Sequence, residues 1–451
     1  MAASALLSLP SVGSPHRAEA QGEQPNILII VTDDQRASGT MMRSVMPFTR
    51  RVFGNGGTRF ARAFATTPLC CPSRASIFTG QYVHNHRARQ EDQGKRLNQE
   101  STVQYYLQNA GYRTAIFGKY LNGWDVTVAP PYFDRWATFS RGLVFGSNGY
   151  YDLPFNVQGR MKTIGRYSTN YIANKATTFI QSTEADDARP WLLYVAPFAP
   201  HYPAVPHPLY ADAPVRRFRP SPAMLEKDRT DKPPFVQKAS RSLDGVRRLR
   251  RQQLRTLMSV DDLVERIFAE IWNGGEGRRT LAFFMSDNGF LWREHGMTGK
   301  RVPYTDSIRI PLYVRWPGHV VAGGVDGRIG GNIDIAPTIL EAAGITPRLP
   351  MDGRSLLGSW DRDRILTEFW NAPGVPTWAS IRGPSYQYVE YYESDGTTIN
   401  FKEYYDLSRD PWQLTNLLGD QDPDNDPPPE LLVELSDQLA ADRLCVGTAC
   451  P

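Results

Sequence analysis

The sequence predicts an α/β protein in which a central, mostly parallel mixed sheet is flanked by helices, followed by a small C-terminal unit with a short antiparallel sheet and a helix. Three observations support that expectation. Two continuous apolar runs, 26–32 and 280–286, each end in acidic or amide residues, Asp33-Asp34 and Asp287-Asn288-Gly289. Runs of that kind are strands buried on both faces, as in a sheet covered by helices. Helical stretches closed by glycine lie between such runs, and after residue 364 short strand-like segments follow one another before a last helix.

Along the chain, the 26–32 strand comes first and delivers Asp33 and Asp34 at its carboxyl end, where open α/β sheets place their ligands. The segment 103–110 has a helical pattern with Gly111 as its stop, and 114–117 is a strand leading into Gly118-Lys119. A further strand, 191–196, leads into Pro197 and His201. The stretch 254–272 is an amphipathic helix ending before Asn273-Gly274-Gly275, and 280–286 is the strand that presents Asp287 and Asn288. Four strand ends are thus expected to meet at one edge. The last helix of the large unit is 334–343, closed by Gly344, and 347–360 is the crossover to the second unit. There, 365–370, 378–382, 386–393 and 401–406 read as antiparallel strands and 429–442 as a helix.

At 451 residues the chain exceeds what one core usually serves. The expected division is an N-terminal segment 1–24, a catalytic domain 25–346 and a C-terminal α+β subdomain 347–451. Charged residues make up 22% and the net charge is +4, a balance that does not single out nucleic acid as a partner. No apolar run approaches bilayer length, so a soluble protein is expected. The first residues read as a shortened export signal: 2–9 is apolar and Ala18-Glu19-Ala20 is a small-x-small site, although no basic segment precedes them. A disordered, uncleaved cytoplasmic tail is the alternative. Cys445 and Cys450 enclose a four-residue loop; as a disulfide they would favour a secreted or periplasmic location, and both could equally be free thiols.

The pentad Cys70-Cys71-Pro72-Ser73-Arg74, followed by Thr79-Gly80, concentrates chemistry. Pro72 suits the start of a helix, where free amides and the dipole favour anions, and Arg74 adds a planar, permanently charged fork. Alone, the two cysteines would read as a buried pair or as one end of a disulfide. Asp33, Asp34, Asp287 and Asn288 form a hard, oxygen-rich set suited to Ca²⁺ or Mg²⁺ and not to zinc. In isolation each acidic pair would be an ordinary turn; their placement after matching strands argues for a shared site.

The pentad closely resembles the active-site signature of the sulfatases. Further landmarks of that family follow in order: Pro25-Asn26-Ile27, Gly111-Tyr112-Arg113-Thr114-Ala115, Gly118-Lys119, Ala199-Pro200-His201, Asp287-Asn288-Gly289 and Gly299-Lys300, then 334–338, Tyr405-Asp406-Leu407, Asp410-Pro411 and Asn416-Leu417. The similarity spans about 25–418. It implies an alkaline-phosphatase-like large domain and a sulfuric ester hydrolase. Cys70 would be oxidised to formylglycine by a formylglycine-generating enzyme, and the hydrated aldehyde would attack sulfur. Asp33, Asp34, Asp287, Asn288 and the modified Cys70 would bind Ca²⁺, with Mg²⁺ as the alternative. Arg74 would steady the aldehyde hydrate, while Lys119, His201 and Lys300 would hold sulfate oxygens and assist the leaving group. The segments 119–122 and 256–262 look most like the branch of N-acetylglucosamine-6-sulfatases and extracellular heparan 6-O-sulfatases. Many sulfatases have a histidine two residues after the lysine, where this chain has Leu121.

Other residues have weaker roles. His295 is a candidate general acid and could equally be structural, and His84 and His86 are candidates for the substrate pocket, for which surface positions are as reasonable. The six arginines within 241–255 suggest a polyanion contact, against the commoner reading of a solvated helix face. The substrate expected is a small-molecule or glycan sulfate ester, its choice set by loops such as 125–167 and 202–243. Two alternatives remain: a phosphonate or phosphate ester hydrolase with the same nucleophile, and a non-catalytic glycan-binding protein in which Cys70 stays a thiol.

Overall fold

The computed structural model describes residues 24–139, 148–184 and 189–451; the signal-like segment therefore lies almost wholly outside the described residues. Strand β1 (Asn26–Thr32) is buried at every position. Its side chains alternate between two cores. Ile27, Ile29 and Val31 pack with Cys71, Ala75 and Phe78, whereas Leu28 and Ile30 pack with Leu257, Val264 and Phe268 of the long helix Leu243–Asn273. A strand covered on both sides has no polar face, which is why the run reads as continuously apolar. Each of its five aliphatic side chains contributes about 1.5–3 kcal/mol on burial.

The remaining strands are β2 (Thr58–Phe64), β3 (Arg113–Lys119), β4 (Arg135–Phe139), β5 (Leu153–Val157), β6 (Arg160–Ile164), β7 (Trp191–Ala196) and β8 (Thr280–Ser286). A two-strand ribbon, β9 (Leu291–Trp292) with β10 (Thr298–Gly299), precedes β11 (Leu312–Arg315) and β12 (Gly324–Gly331). The ten-stranded sheet has the order β12-β2-β11-β8-β1-β7-β3-β4-β5-β6. Its centre, β8-β1-β7-β3, is parallel throughout. Antiparallel pairs occur where β11 inserts between β2 and β8 and where β5 and β6 close the far edge. The mostly parallel mixed sheet expected from sequence is therefore present.

Two details differ from the sequence reading. The segment 125–167, read as a loop, contains β4, β5 and β6; these short strands carry no long apolar run because they lie towards one edge. The long helix starts at Leu243, eleven residues before the expected position, and Ser242 caps it at the Gly245 amide. Arginines and Gly245 in its first turns obscure the apolar stripe that marks the rest.

The second sheet is antiparallel, β13 (Ile365–Phe369), β14 (Trp378–Arg382), β15 (Tyr386–Tyr392) and β16 (Ile399–Asp406) in sequence order. The helix Pro429–Asp442 packs Leu435 and Leu439 into its core. A fully buried Arg362–Asp334 pair, with two contacts of 2.8 Å, joins this unit to the helix Ile335–Ala342. Cys445 and Cys450 form a disulfide. Among the described residues no helix is long and apolar enough to cross a membrane.

Gly118, the penultimate residue of β3, has φ +116°, and a Cβ there would lie 2.0 Å from the Ala196 carbonyl oxygen on β7. Only glycine allows the two strands to pair this closely beside Lys119. Gly118→Ala should lower stability by at least about 3 kcal/mol in urea unfolding; a loss within about 0.5 kcal/mol would show that the strands tolerate separation.

Candidate active site

Because β8, β1, β7 and β3 are neighbours running in one direction, their carboxyl ends open on one edge of the sheet. Asp33 and Asp34 leave β1, Asp287 and Asn288 leave β8, Lys119 ends β3, and His201 follows β7 by five residues. The Asp33 amide donates to the Ala199 carbonyl at 3.2 Å, which ties the β7 loop to the β1 turn. Asp34 adopts φ +68°, a conformation that aspartate tolerates because its side chain bonds locally. Its amide donates to Asp287 Oδ1 at 3.2 Å, and Asn288 Nδ2 donates to Asp34 Oδ1 at 2.7 Å.

The helix Cys70–Thr79 is buried along its whole length and points its N-terminus at this edge. Leu69 supplies no side-chain cap and Pro72 has no amide hydrogen, so the helix end offers free donors and a positive dipole to anions. Cys70 is its first residue. Its Sγ lies 3.2 Å from Asp33 Oδ1 and 2.6 Å from Lys300 Nζ. Arg74, one turn on, is fully buried; its Nε donates to Asp287 Oδ2 at 2.9 Å and its Nη1 to the Lys119 carbonyl at 3.1 Å. Among the described residues its buried Nη2 has no hydrogen-bond partner within bonding distance.

Two lysines complete the cluster. Lys119 Nζ pairs with Asp33 Oδ2 at 2.5 Å. Lys300 Nζ contacts Asp34 Oδ1 and lies 3.0 Å from Asn288 Oδ1 as well as touching Cys70 Sγ. His201 Nδ1 donates to the Tyr202 carbonyl at 2.6 Å, leaving Nε2 3.6 Å from Asp34 Oδ2.

The charges shift one another. Burial raises the Asp33 pKa, but Lys119, His201, Arg74 and Lys300 together outweigh it and hold the carboxylate well below its usual range. Asp34 is lowered in the same way, against burial, by Lys300 and His201. At Asp287 burial and the charge of Asp33 prevail over Arg74, and the pKa rises to about 6. Burial tends to discharge Lys119 and Lys300, yet their carboxylate neighbours keep both protonated. The Cys70 thiol is pushed well above its ordinary value, first by burial and then by Asp33. As a thiol it is therefore a poor nucleophile.

The residues present fit a hard divalent cation. Asp33, Asp34, Cys70 and His201 each offer a ligand atom, all within 4.8 Å of one another, and Asp287 and Asn288 add two more oxygen donors beside them. The Lys300 ammonium already occupies a cationic position among Asp34, Asn288 and Cys70. Oxygen donors of this kind suit Ca²⁺ or Mg²⁺.

The three other candidate histidines have different surroundings. His84 Nδ1 pairs with Glu368 at 3.0 Å and Nε2 donates to the Cys445 carbonyl, so both ring nitrogens tie the helix Val83–His86 to the C-terminal unit. His86 Nε2 lies 3.1 Å from Ser76 Oγ, and burial followed by the charge of His84 lowers its pKa to about 3. His295 is buried, pairs with Glu226 at 2.9 Å and lies over Tyr304. None of these rings contacts Cys70; the expected pocket and acid roles meet side chains that are already bonded elsewhere. Leu121 is packed in the core. Asn332 escaped the sequence reading: it donates to Ser73 Oγ at 2.9 Å and accepts from the Thr66 amide, while Ser73 donates to the Asp287 carbonyl. No local pattern marks it, because its partners are distant in the chain.

Comparison with known proteins adds three findings. The family described as Sulfatase matches residues 25–345, and the C-terminal family of N-sulphoglucosamine sulphohydrolase matches 293–441. The chain is 34% identical to a putative extracellular sulfatase Sulf-1 homolog of Caenorhabditis elegans over 74% of this chain, spanning about half (49%) of that protein's length. It is 28% identical to human N-acetylglucosamine-6-sulfatase, covering 95% of this chain and 86% of that protein. A structure solved with its substrate D-glucosamine-2-N,6-O-disulfate shares the fold, with a TM-score of 0.80 at 22% identity, covering 93% of this chain and 97% of that one.

Arg74→Met would leave Asp287 buried without its counter-ion, and should lower stability by about 3–5 kcal/mol in chemical unfolding. A loss below about 1 kcal/mol would show that Asp287 is neutral without Arg74. Burial opposes the charging of His84, but Glu368 raises its pKa overall. The stability from this pair should be full below the unfolded pKa of histidine, roughly 6.5, and be lost as pH rises through the raised folded value. Unfolding of the parent and His84→Gln should therefore converge at alkaline pH; a constant gap from acid to alkaline pH would exclude the ion pair.

Proposed function

The chain belongs to the sulfatase family, and on that premise we propose that it hydrolyses the sulfate ester of a sulfated sugar or an aryl sulfate. In this reading Cys70 is converted to formylglycine, and Asp33, Asp34, Asp287 and Asn288 hold a divalent cation. The observation that carries it is the position of Cys70: first residue of a buried helix, in contact with Asp33 and Lys300, with a thiol that burial keeps protonated. A side chain so placed is well sited and poorly reactive until its sulfur is replaced.

Formylglycine at residue 70 would supply a hydrated aldehyde, one oxygen of which displaces the alcohol from sulfur while the other provides the route by which sulfate leaves. Ca²⁺, or Mg²⁺ in its place, would supply positive charge to offset that of the nucleophile and the ester. The chain's own residues do the rest. Arg74, with an unused Nη2 donor, orients the residue-70 side chain; Lys119 and Lys300, kept protonated by their carboxylates, offer donors to sulfate oxygens; and His201 turns Nε2 into the same space. The 28% identity to N-acetylglucosamine-6-sulfatase supports a sulfated glucosamine as substrate. The terminal disulfide and the extracellular relative support a location outside the cytoplasm, reached with a formylglycine-generating enzyme as maturation partner.

The decisive experiment combines two measurements on protein from its native host. The tryptic peptide 63–74 should have the mass of an aldehyde in place of the Cys70 thiol, and aryl sulfate should be turned over faster than aryl phosphonate. A free thiol in active protein would overturn the nucleophile, and a large preference for the phosphonate would make the chain a phosphonate ester hydrolase. Glycan binding without hydrolysis in aldehyde-bearing protein would leave only a binding role. Chelation should abolish turnover and lower the melting temperature, with Ca²⁺ or Mg²⁺ restoring both; unchanged values after chelation would exclude the cation.

A further inference from the structure

Most of the arginine run at the start of the long helix is a solvated face, but Arg250 within it is buried. The 215–220 loop lies against it, and together they form a groove of about 700 Å³ whose lining includes Arg216, Arg217, Arg219, Arg247, Arg250 and Arg251. Its other lining residues are Val215, Phe218 and Pro220, so the groove wall holds six guanidinium groups and no carboxylate. Arg247 pairs with Asp244 at 2.8 Å, but both side chains are more than half exposed and such a pair holds little.

Arg250 is the telling residue. It is only 7% exposed, its Nη1 donates to the Arg216 carbonyl at 3.0 Å, and its guanidinium lies 5.4 Å from the ring centres of both Phe218 and Trp292. Among the described residues no carboxylate pairs with it. Burial, and then the charges of Arg36 and Arg216, pull its pKa below the ordinary value. A guanidinium held so, with neighbours of its own sign, is costly without an anion. A second cavity of about 420 Å³ continues along Arg250 and Trp292 to Arg36, which stacks on the same indole at 4.4 Å and lies two residues after Asp34.

We propose that this groove binds an extended polysulfated glycan, gripping sulfate groups of the substrate chain other than the one cleaved at Cys70. The proposal rests on the sulfate-ester reading of the active site. Guanidinium forks take oxyanions bidentately, and six of them in one groove ask for several anions on one flexible chain. Single-stranded nucleic acid would need exposed stacking faces, whereas Phe218, the one aromatic in the 700 Å³ groove, lies under Arg250.

The test uses the full chain and heparin octasaccharide, with binding measured by calorimetry at two salt concentrations. The variant R216A/R217A/R247A/R251A, whose four sites are exposed and outside the Cys70 cluster, should bind at least about ten-fold more weakly and with a shallower salt dependence. Its KM for a sulfated octasaccharide should rise correspondingly, while kcat/KM on aryl sulfate stays within about two-fold of the parent. Unchanged octasaccharide affinity would overturn the proposal. So would an equal loss in R51A/R160A/R278A/R409A, which removes the same charge elsewhere, or tighter binding of single-stranded DNA in the groove. Because binding is read without turnover, groove-dependent binding by aldehyde-bearing protein that cleaves no sulfate ester would reject the hydrolase reading and leave the groove standing.

Discussion

Three carboxylates and three cations buried at one edge of the sheet must neutralise one another, because charge removed from water is tolerated only when paired. Asp33 meets Lys119, Asp34 meets Lys300, and Asp287 meets Arg74. The set balances only while the strands stay in register, since β1 brings Asp33 and Asp34, β8 brings Asp287, and β3, held one strand away across β7, brings Lys119. A divalent cation entering this set requires an anion to accompany it, and the proposed substrate is one.

The surrounding structure holds that balance in place. Gly118 lets β3 approach β7 closely enough to aim Lys119 at Asp33, and the Ala199 carbonyl anchors the loop that carries His201. Ser73 and Asn332 link the Cys70–Thr79 helix to the turn after β8 and to the strand end at Thr66. The second sheet joins through the Asp334–Arg362 pair and through His84, whose helix comes next after the one that carries the pentad. Of the two histidines near the pentad, His84 thus binds the two units together, while His86 bonds Ser76 within the large unit.

Much of this was legible in the chain. The apolar runs at β1, β7 and β8 have the predicted bounds, because strands buried on both faces cannot hide their hydrophobicity. The acidic and amide residues that follow them were equally visible. The edge strands β4 to β6 were not, since Arg160, Met161 and Lys162 face solvent and break the apolar signal. The first turns of the long helix were masked by arginines that pack against a loop some thirty residues away.

By itself the sequence determined the α/β class, the strand ends that carry Asp33, Asp34, Asp287 and Asn288, and a helix start within the pentad at Pro72, which the structure places two residues earlier, at Cys70. Each is a local property of apolar runs, proline and glycine. Only the tertiary structure decided which partner each charge has, why Asn332 matters, and that His84, His86 and His295 are bonded elsewhere. It also decided that the arginine run closes a groove with Arg250 buried inside it. Most of those outcomes depend on contacts between segments tens to hundreds of residues apart, and pairing across such separations follows from strand order and packing, which no local pattern encodes.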